Sequence, residues 1–194
     1  MLTPRTVKVA LTLLVVLLST EVVYSKTIKD VDIPEQITAP DVPKTLHLNG
    51  AGIRTKFFVS IYIGALYLPQ KQHEVSAILQ NNTPRRVMMY CLYDEISKQK
   101  LVKAWNEGFQ NNTSAEKLAS LHNQIETFNQ LFPALHKGDT VYLDYIPANG
   151  TRLTVNQRIL GIIPGEDFNI ALLKIWLGDS PADSDLKAAM LGVE

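Results

Sequence analysis

Leu48-Asn-Gly-Ala-Gly-Ile-Arg-Thr-Lys-Phe-Phe-Val-Ser-Ile-Tyr-Ile-Gly-Ala-Leu-Tyr-Leu68 is the stretch from which the architecture is read. From Phe57 onward it is dense in β-branched and aromatic residues, which suit a pleated, half-buried surface. The glycine cluster Asn49-Gly50-Ala51-Gly52 ahead of that run reads as a turn between two strands. Period two then splits the run unequally. Phe57, Val59, Ile61, Ile63 and Ala65 share one apolar face, whereas Ser60, Tyr62 and Gly64 leave the other face with polar atoms and open space.

Upstream, residues 26–45 carry Pro34, Pro40 and Pro43 with little periodicity, which predicts an extended lead-in. Downstream, Arg85 to Tyr93 reads as a strand buried in its middle, and Ser97 then opens a helix. The helix stripe is Leu101, Ala104, Trp105, Gly108 and Phe109, spaced three and four apart. A second helix begins near Ser114, lines up Leu118, Leu121, Ile125 and Phe128, and ends at Pro133. Strands return over Asp139 to Ile146, Asn149-Gly150 signals a hairpin, and residues 151–163 carry two short strands around Gly161. Asp167 leads a helix that Gly178 stops, and Ser180-Pro181 restarts the last one. Strands, then helices, then strands, then helices describe an α+β domain: a mainly antiparallel sheet with helices layered on one face.

The amino-terminal end reads differently. Arg5 and Lys8 precede the apolar run Val9-Ala-Leu-Thr-Leu-Leu-Val-Val-Leu-Leu18, long enough for a signal-peptide core and shorter than the roughly 20 residues that span a bilayer. Val23-Tyr24-Ser25 supplies a small residue for processing, so residues 1–25 are expected to be a cleaved signal peptide and 26–194 a single domain. The expected location is periplasmic or secreted, with no membrane span after processing.

Composition narrows the function classes. Over 194 residues, 19 Lys and Arg balance 19 Asp and Glu, which removes the electrostatic drive toward nucleic acid or a polyanionic surface. One cysteine forms no internal disulfide, and the four histidines, His47, His73, His122 and His136, are scattered, so no metal and no cofactor is expected. Cys91 lies in a buried-looking strand without a neighbouring histidine, which argues against a nucleophile. Gly50-Ala51-Gly52 lacks the lysine and the helix that a phosphate cradle needs. Arg54 is the informative residue. It stands two residues after Gly52, at the mouth of a strand whose more open face carries Tyr62, and a guanidinium there can hold a carboxylate or phenolate through paired hydrogen bonds. Spacing alone also allows an arginine on a solvated strand end and a tyrosine in the core.

The same stretch, together with Gly161-Ile-Ile-Pro-Gly and the run from Phe168 to Lys187, resembles the bacterial branch of the chalcone isomerase-like family over residues 27–192. The resemblance implies an open-faced β-sandwich, a large antiparallel sheet with a helix layer. It further implies that Arg54 is the family's glycine-turn arginine, which assists cyclisation in plant isomerases and meets the ligand carboxylate in fatty-acid-binding members. Tyr62 falls where true isomerases keep a ketone-polarising threonine, Ile175 near a second pocket threonine, Ile96 at the catalytic tyrosine, and Asn106 near the catalytic asparagine. Most of the isomerase set is missing and the arginine remains. The expected function is therefore non-catalytic binding of a fatty acid or similar amphipathic carboxylate by Arg54 and Tyr62, with Asn106 as a further ligand-site residue. The alternatives are an isomerase acting on a chalcone-like enone through Arg54 and Tyr62, and an interaction module with no ligand cavity.

Overall fold

A computed structural model describes residues 25–39, 41–42 and 44–193. The expectation of a signal peptide over residues 1–25 thus lies, apart from Ser25, outside the described residues. In chain order the elements are β1 (Ser25–Ile28), β2 (Val31–Pro34), β3 (Gln36–Ile37), β4 (Leu46–Lys56), β5 (Val59–Leu68), α1 (Val75–Gln80), β6 (Arg85–Cys91), β7 (Glu95–Ile96) and α2 (Lys98–Asn112). They continue as α3 (Ala115–Ser120), α4 (His122–Leu131), β8 (Leu135–His136), β9 (Thr140–Ile146), β10 (Gly150–Val155), β11 (Arg158–Ile163), α5 (Glu166–Leu177) and α6 (Ser184–Leu191). Seven strands form one antiparallel sheet in the order β11-β10-β9-β6-β5-β4-β3. The α+β architecture expected from the element order is the one observed.

The strands of the main sheet bury both faces. On the helix side, Tyr62, Leu66, Val87, Met89 and Leu143 pack in one cluster with Trp105 and Phe109 of α2, Phe128 of α4, Trp176 of α5 and Leu186 and Met190 of α6. On the other side, Leu48, Ile63, Ala65, Tyr67 and Met88 pack with Ile33 and Val42. The lead-in expected over residues 26–45 is therefore folded. Its β1–β2 hairpin turns through Lys29 and Asp30 at φ 50° and 61°, and Ile33 is fully buried. Aspartate and lysine are ordinary turn residues, but isolated apolar positions such as Ile33 and Val42 carry no period for a sequence reading to find.

The central hairpin differs from its sequence reading in an instructive way. β4 runs unbroken through Asn49, Gly50 and Gly52, with a bulge between Leu48 and Gly50, and pairs with β5 along its length. The turn is at Phe57–Phe58. The glycines are there for close approach: a Cβ at Gly50 would collide with the Ala189 carbonyl oxygen, and one at Gly52 would lie 2.5 Å from the Ala189 Cβ. Helix α6 thus lies directly against the β4 backbone, and the side chain of Asn49 ties it down by donating to Met190 O at 2.8 Å. Similar shifts occur elsewhere. The helix expected from Ser114 is split at Leu121 into α3 and α4, and β10 turns into β11 at Asn156–Gln157 rather than at Gly161. The last helix starts at Ser184, capped by the carboxylate of Asp183, rather than at Ser180-Pro181.

Candidate functional site

The β4–β5 register sets Arg54 opposite Tyr62, and a bulge after Arg54 closes this paired segment. The guanidinium carbon lies 5.6 Å from the centre of the Tyr62 ring, within range for a cation on an aromatic face. Arg54 is half-buried, and its Nε–H is enclosed without a hydrogen-bond partner. Tyr62 is buried, and its hydroxyl oxygen accepts a hydrogen bond of 2.9 Å from Trp176 Nε1 on α5. Burial holds the phenol above its ordinary pKa, while the Arg54 charge and the indole hydrogen bond pull the other way. Asp183 borders the same corner: its carboxylate accepts from Thr55 N at 2.8 Å while capping α6, which fixes the start of that helix beside Arg54. The corner therefore offers one unpartnered guanidinium N–H and one neutral phenol, suited to an acidic head group.

The space between the sheet and the helices behind this pair is filled. Trp176 stacks edge-on to Trp105 at 5.7 Å, and Trp105 continues to Phe128 and Phe132 at 5.5 Å each. Phe109 and Phe168 extend the cluster. Between sheet and helices lies a cavity of about 10 Å³, the size for one water, lined by Arg85, Val87, Leu143, Asn169 and Trp176 among others. Larger grooves open on the surface beside α1, of about 340 and 380 Å³.

Arg85 is a residue that sequence reasoning missed. It is buried, its Nη1 donates to Ile78 O at the end of α1, and its charge sits 4.7 Å from the Tyr145 ring centre. Nε and Nη2 are buried without partners, as is Asn169 Oδ1 on the same cavity. Arg85-Arg86 looks in sequence like a charged strand end; only the packing of α1 and α5 over it shows an interior cation.

Asn106 is not brought to the Arg54–Tyr62 corner by any hydrogen bond of its own: its Oδ1 accepts from Asn129 Nδ2 at 2.8 Å, joining α2 to α4. Ile175 is buried against Gly108, and Ile96 lies in the short β7 strand. Cys91 stands opposite Tyr62 on β6, and burial, with a smaller contribution from Asp139, pushes its thiol up to about 12, so it is not a nucleophile at neutral pH. Among the described residues no group of three His, Cys, Asp or Glu side chains is placed to hold a metal ion, and no helix is long and apolar enough to cross a membrane.

A family model described as chalcone isomerase-like matches residues 25–192. No curated protein matches the sequence significantly. Among matching solved structures is a fatty-acid binding protein of Arabidopsis thaliana, at 14% identity and a TM-score of 0.58, covering 81% of this chain and 96% of that one. At such identity the likeness is one of fold.

Proposed function

Since residues 25–192 place the chain in the chalcone isomerase-like family, which it belongs to across nearly all of its described length, we propose that it is a non-catalytic member binding a fatty acid or similar amphipathic carboxylate. The observation that carries the reading is the enclosed, unpartnered Nε–H of Arg54 beside the Tyr62 phenol. A carboxylate there gains a charge-assisted hydrogen bond worth about 1.5–3 kcal/mol net. The acyl chain then supplies about 0.8 kcal/mol per buried methylene, or roughly 9 kcal/mol for twelve carbons before the costs of association. Chain burial sets affinity and Arg54 sets orientation.

The interior behind the corner is filled, so a bound chain would take the space that the Trp176 indole occupies. Binding requires that indole to leave the Tyr62 hydroxyl, which the carboxylate then meets. The signal-like residues 1–25 support a location outside the cytoplasm, periplasmic or secreted. Ring closure of an enone is not proposed, because isoleucines at 96 and 175 supply no donor to a growing oxyanion.

Mass spectrometry of the purified protein, native and denatured, together with titration by dodecanoate, tests the proposal. Copurifying fatty acid, and binding weakened at least tenfold by Arg54→Gln with the fold intact, are expected. Absence of both endogenous lipid and added dodecanoate rejects it. The solid aromatic layer would then favour the second reading, an interaction module without a ligand cavity.

A further inference from the structure

Phe57 and Phe58 form the whole two-residue turn of the β4–β5 hairpin, and their side chains are 85% and 103% exposed. Both take left-handed backbone conformations, at φ 49° and 64°. Two-residue turns of this hand normally use Asn-Gly or similar pairs, because a bulky side chain is strained there. Neither folding nor solubility accounts for two phenylalanines at such a point. Residues that break a local rule in this way mark a functional requirement.

The surroundings identify what the tip meets. Strand β6 ends at Cys91, opposite Tyr62, so the hairpin beyond that level projects past its neighbour. A convex pair of rings on a narrow projection has no complementary wall of its own, and a protein partner would need a preformed pocket. A bilayer interface deforms around it. Val59, also exposed, adds apolar surface, and the Lys56 ammonium lies 5.8 Å from the Phe57 ring centre, where it can reach a lipid phosphate as the rings enter the acyl region. Exposed Tyr93, hydrogen-bonded through its N–H to Ile61 O, adds an interfacial aromatic on the adjoining strand connection. Asp94 and Glu95 beside it, and Asp183 against Thr55, offset Lys56 and Arg54, so apolar insertion rather than net charge must carry the attachment.

We propose that the Phe57–Phe58 tip inserts into the interface of a phospholipid bilayer and seats the Arg54–Tyr62 corner at the membrane surface. The choice of a bilayer rests partly on the ligand reading above, since a membrane is where an amphipathic carboxylate partitions; the projection and backbone of the tip are independent of it.

The test uses the full chain with phosphatidylcholine vesicles. Phe57→Trp provides a fluorophore at the tip, against the buried Trp105 and Trp176. Its emission should shift to the blue on adding vesicles and be quenched by brominated phosphatidylcholine. Phe57→Ser/Phe58→Ser should weaken vesicle partitioning by about a hundredfold, roughly tenfold per ring, with little dependence on salt. Phe57→Asn/Phe58→Gly should lose docking in the same way while melting a few degrees higher. An unshifted, unquenched tip indole overturns the proposal, as does equal partitioning of parent and double-serine protein. Dodecanoate binding in lipid-free buffer is measured separately. Docking without dodecanoate binding rejects the ligand reading and keeps the tip, and binding without docking does the reverse.

Discussion

Trp176 occupies the space directly behind the Arg54–Tyr62 corner. Its ring fills the layer beside Tyr62, and its indole N–H is the hydrogen-bond donor to the Tyr62 hydroxyl. Trp176→Ala should cost about 3–5 kcal/mol, read by urea unfolding, because a buried indole is replaced by a cavity. If the packed indole is what opposes the ligand, the same variant should bind dodecanoate more tightly than the parent; weaker binding would assign the indole to the ligand's own contact surface. Cys91 offers a second check at this scale. Its thiol is raised from 9.0 to about 12, so the folded state prefers the neutral form. That contribution is complete below pH 9 and fades as pH rises toward 12. Between pH 9 and 11 the parent should lose about 2 kcal/mol more stability than Cys91→Ala, and iodoacetamide should leave the native thiol unmodified at pH 8. Arg54 and Tyr62 were legible as a pair because both lie in one continuous motif. Trp176 was not, because its partner is 114 residues away and nothing local distinguishes it from other core aromatics.

At the level of elements, the β4–β5 hairpin shows how a glycine cluster misleads. Gly50 and Gly52 read as a turn, yet they lie inside a strand whose backbone is pressed by α6. A turn and a close approach demand the same residue, and only tertiary structure separates them. Gly50→Ala should therefore destabilise the protein by about 3 kcal/mol, since the new methyl meets the α6 backbone rather than a side chain that can swing away. Chemical denaturation measures this, and a near-neutral result would mean that α6 is free to shift outward. Where local chemistry acts alone the sequence was sufficient. Ser97 caps α2 by accepting from Lys100 N, Ser114 caps α3 through Lys117 N, and Gly178 ends α5 with its N–H on Lys174 O. The displaced turn has the same origin as the misread glycines. Phe57-Phe58 has no turn propensity, so the chain reverses there because the registers on either side are fixed by pairing and by α6, at the cost of left-handed backbone at two bulky residues.

Over the whole molecule, the two sheet faces divide the work. The helix side holds the aromatic layer and the Arg54–Tyr62 corner, while the opposite side is closed by the segment that the sequence suggested was only a lead-in. A chain of charges runs under that cover: Asp144 accepts from Arg86 through Nε at 2.5 Å and Nη2 at 3.0 Å and from Arg152 Nη2 at 3.0 Å, and Arg152 Nη1 reaches Asp41 at 3.0 Å. Alternation in β6, β9 and β10 gives no hint of it, since charged residues in strands read as solvent-facing. The two acids are unequal. Asp144 is almost fully buried between two guanidinium groups, whereas the Asp41 side chain is mostly exposed. Asp144→Ala strips a buried network of its central anion and should cost about 3–5 kcal/mol; Asp41→Ala removes an exposed partner and should cost less than about 1 kcal/mol. Urea unfolding of the two variants at pH 7 separates the causes that could hold the amino-terminal segment. If Asp41→Ala proves as costly as Asp144→Ala, charge anchors the cover. If it is nearly silent while Ile33→Ala costs about 2–5 kcal/mol, apolar burial does, and the cover is held as part of the core rather than by its charges.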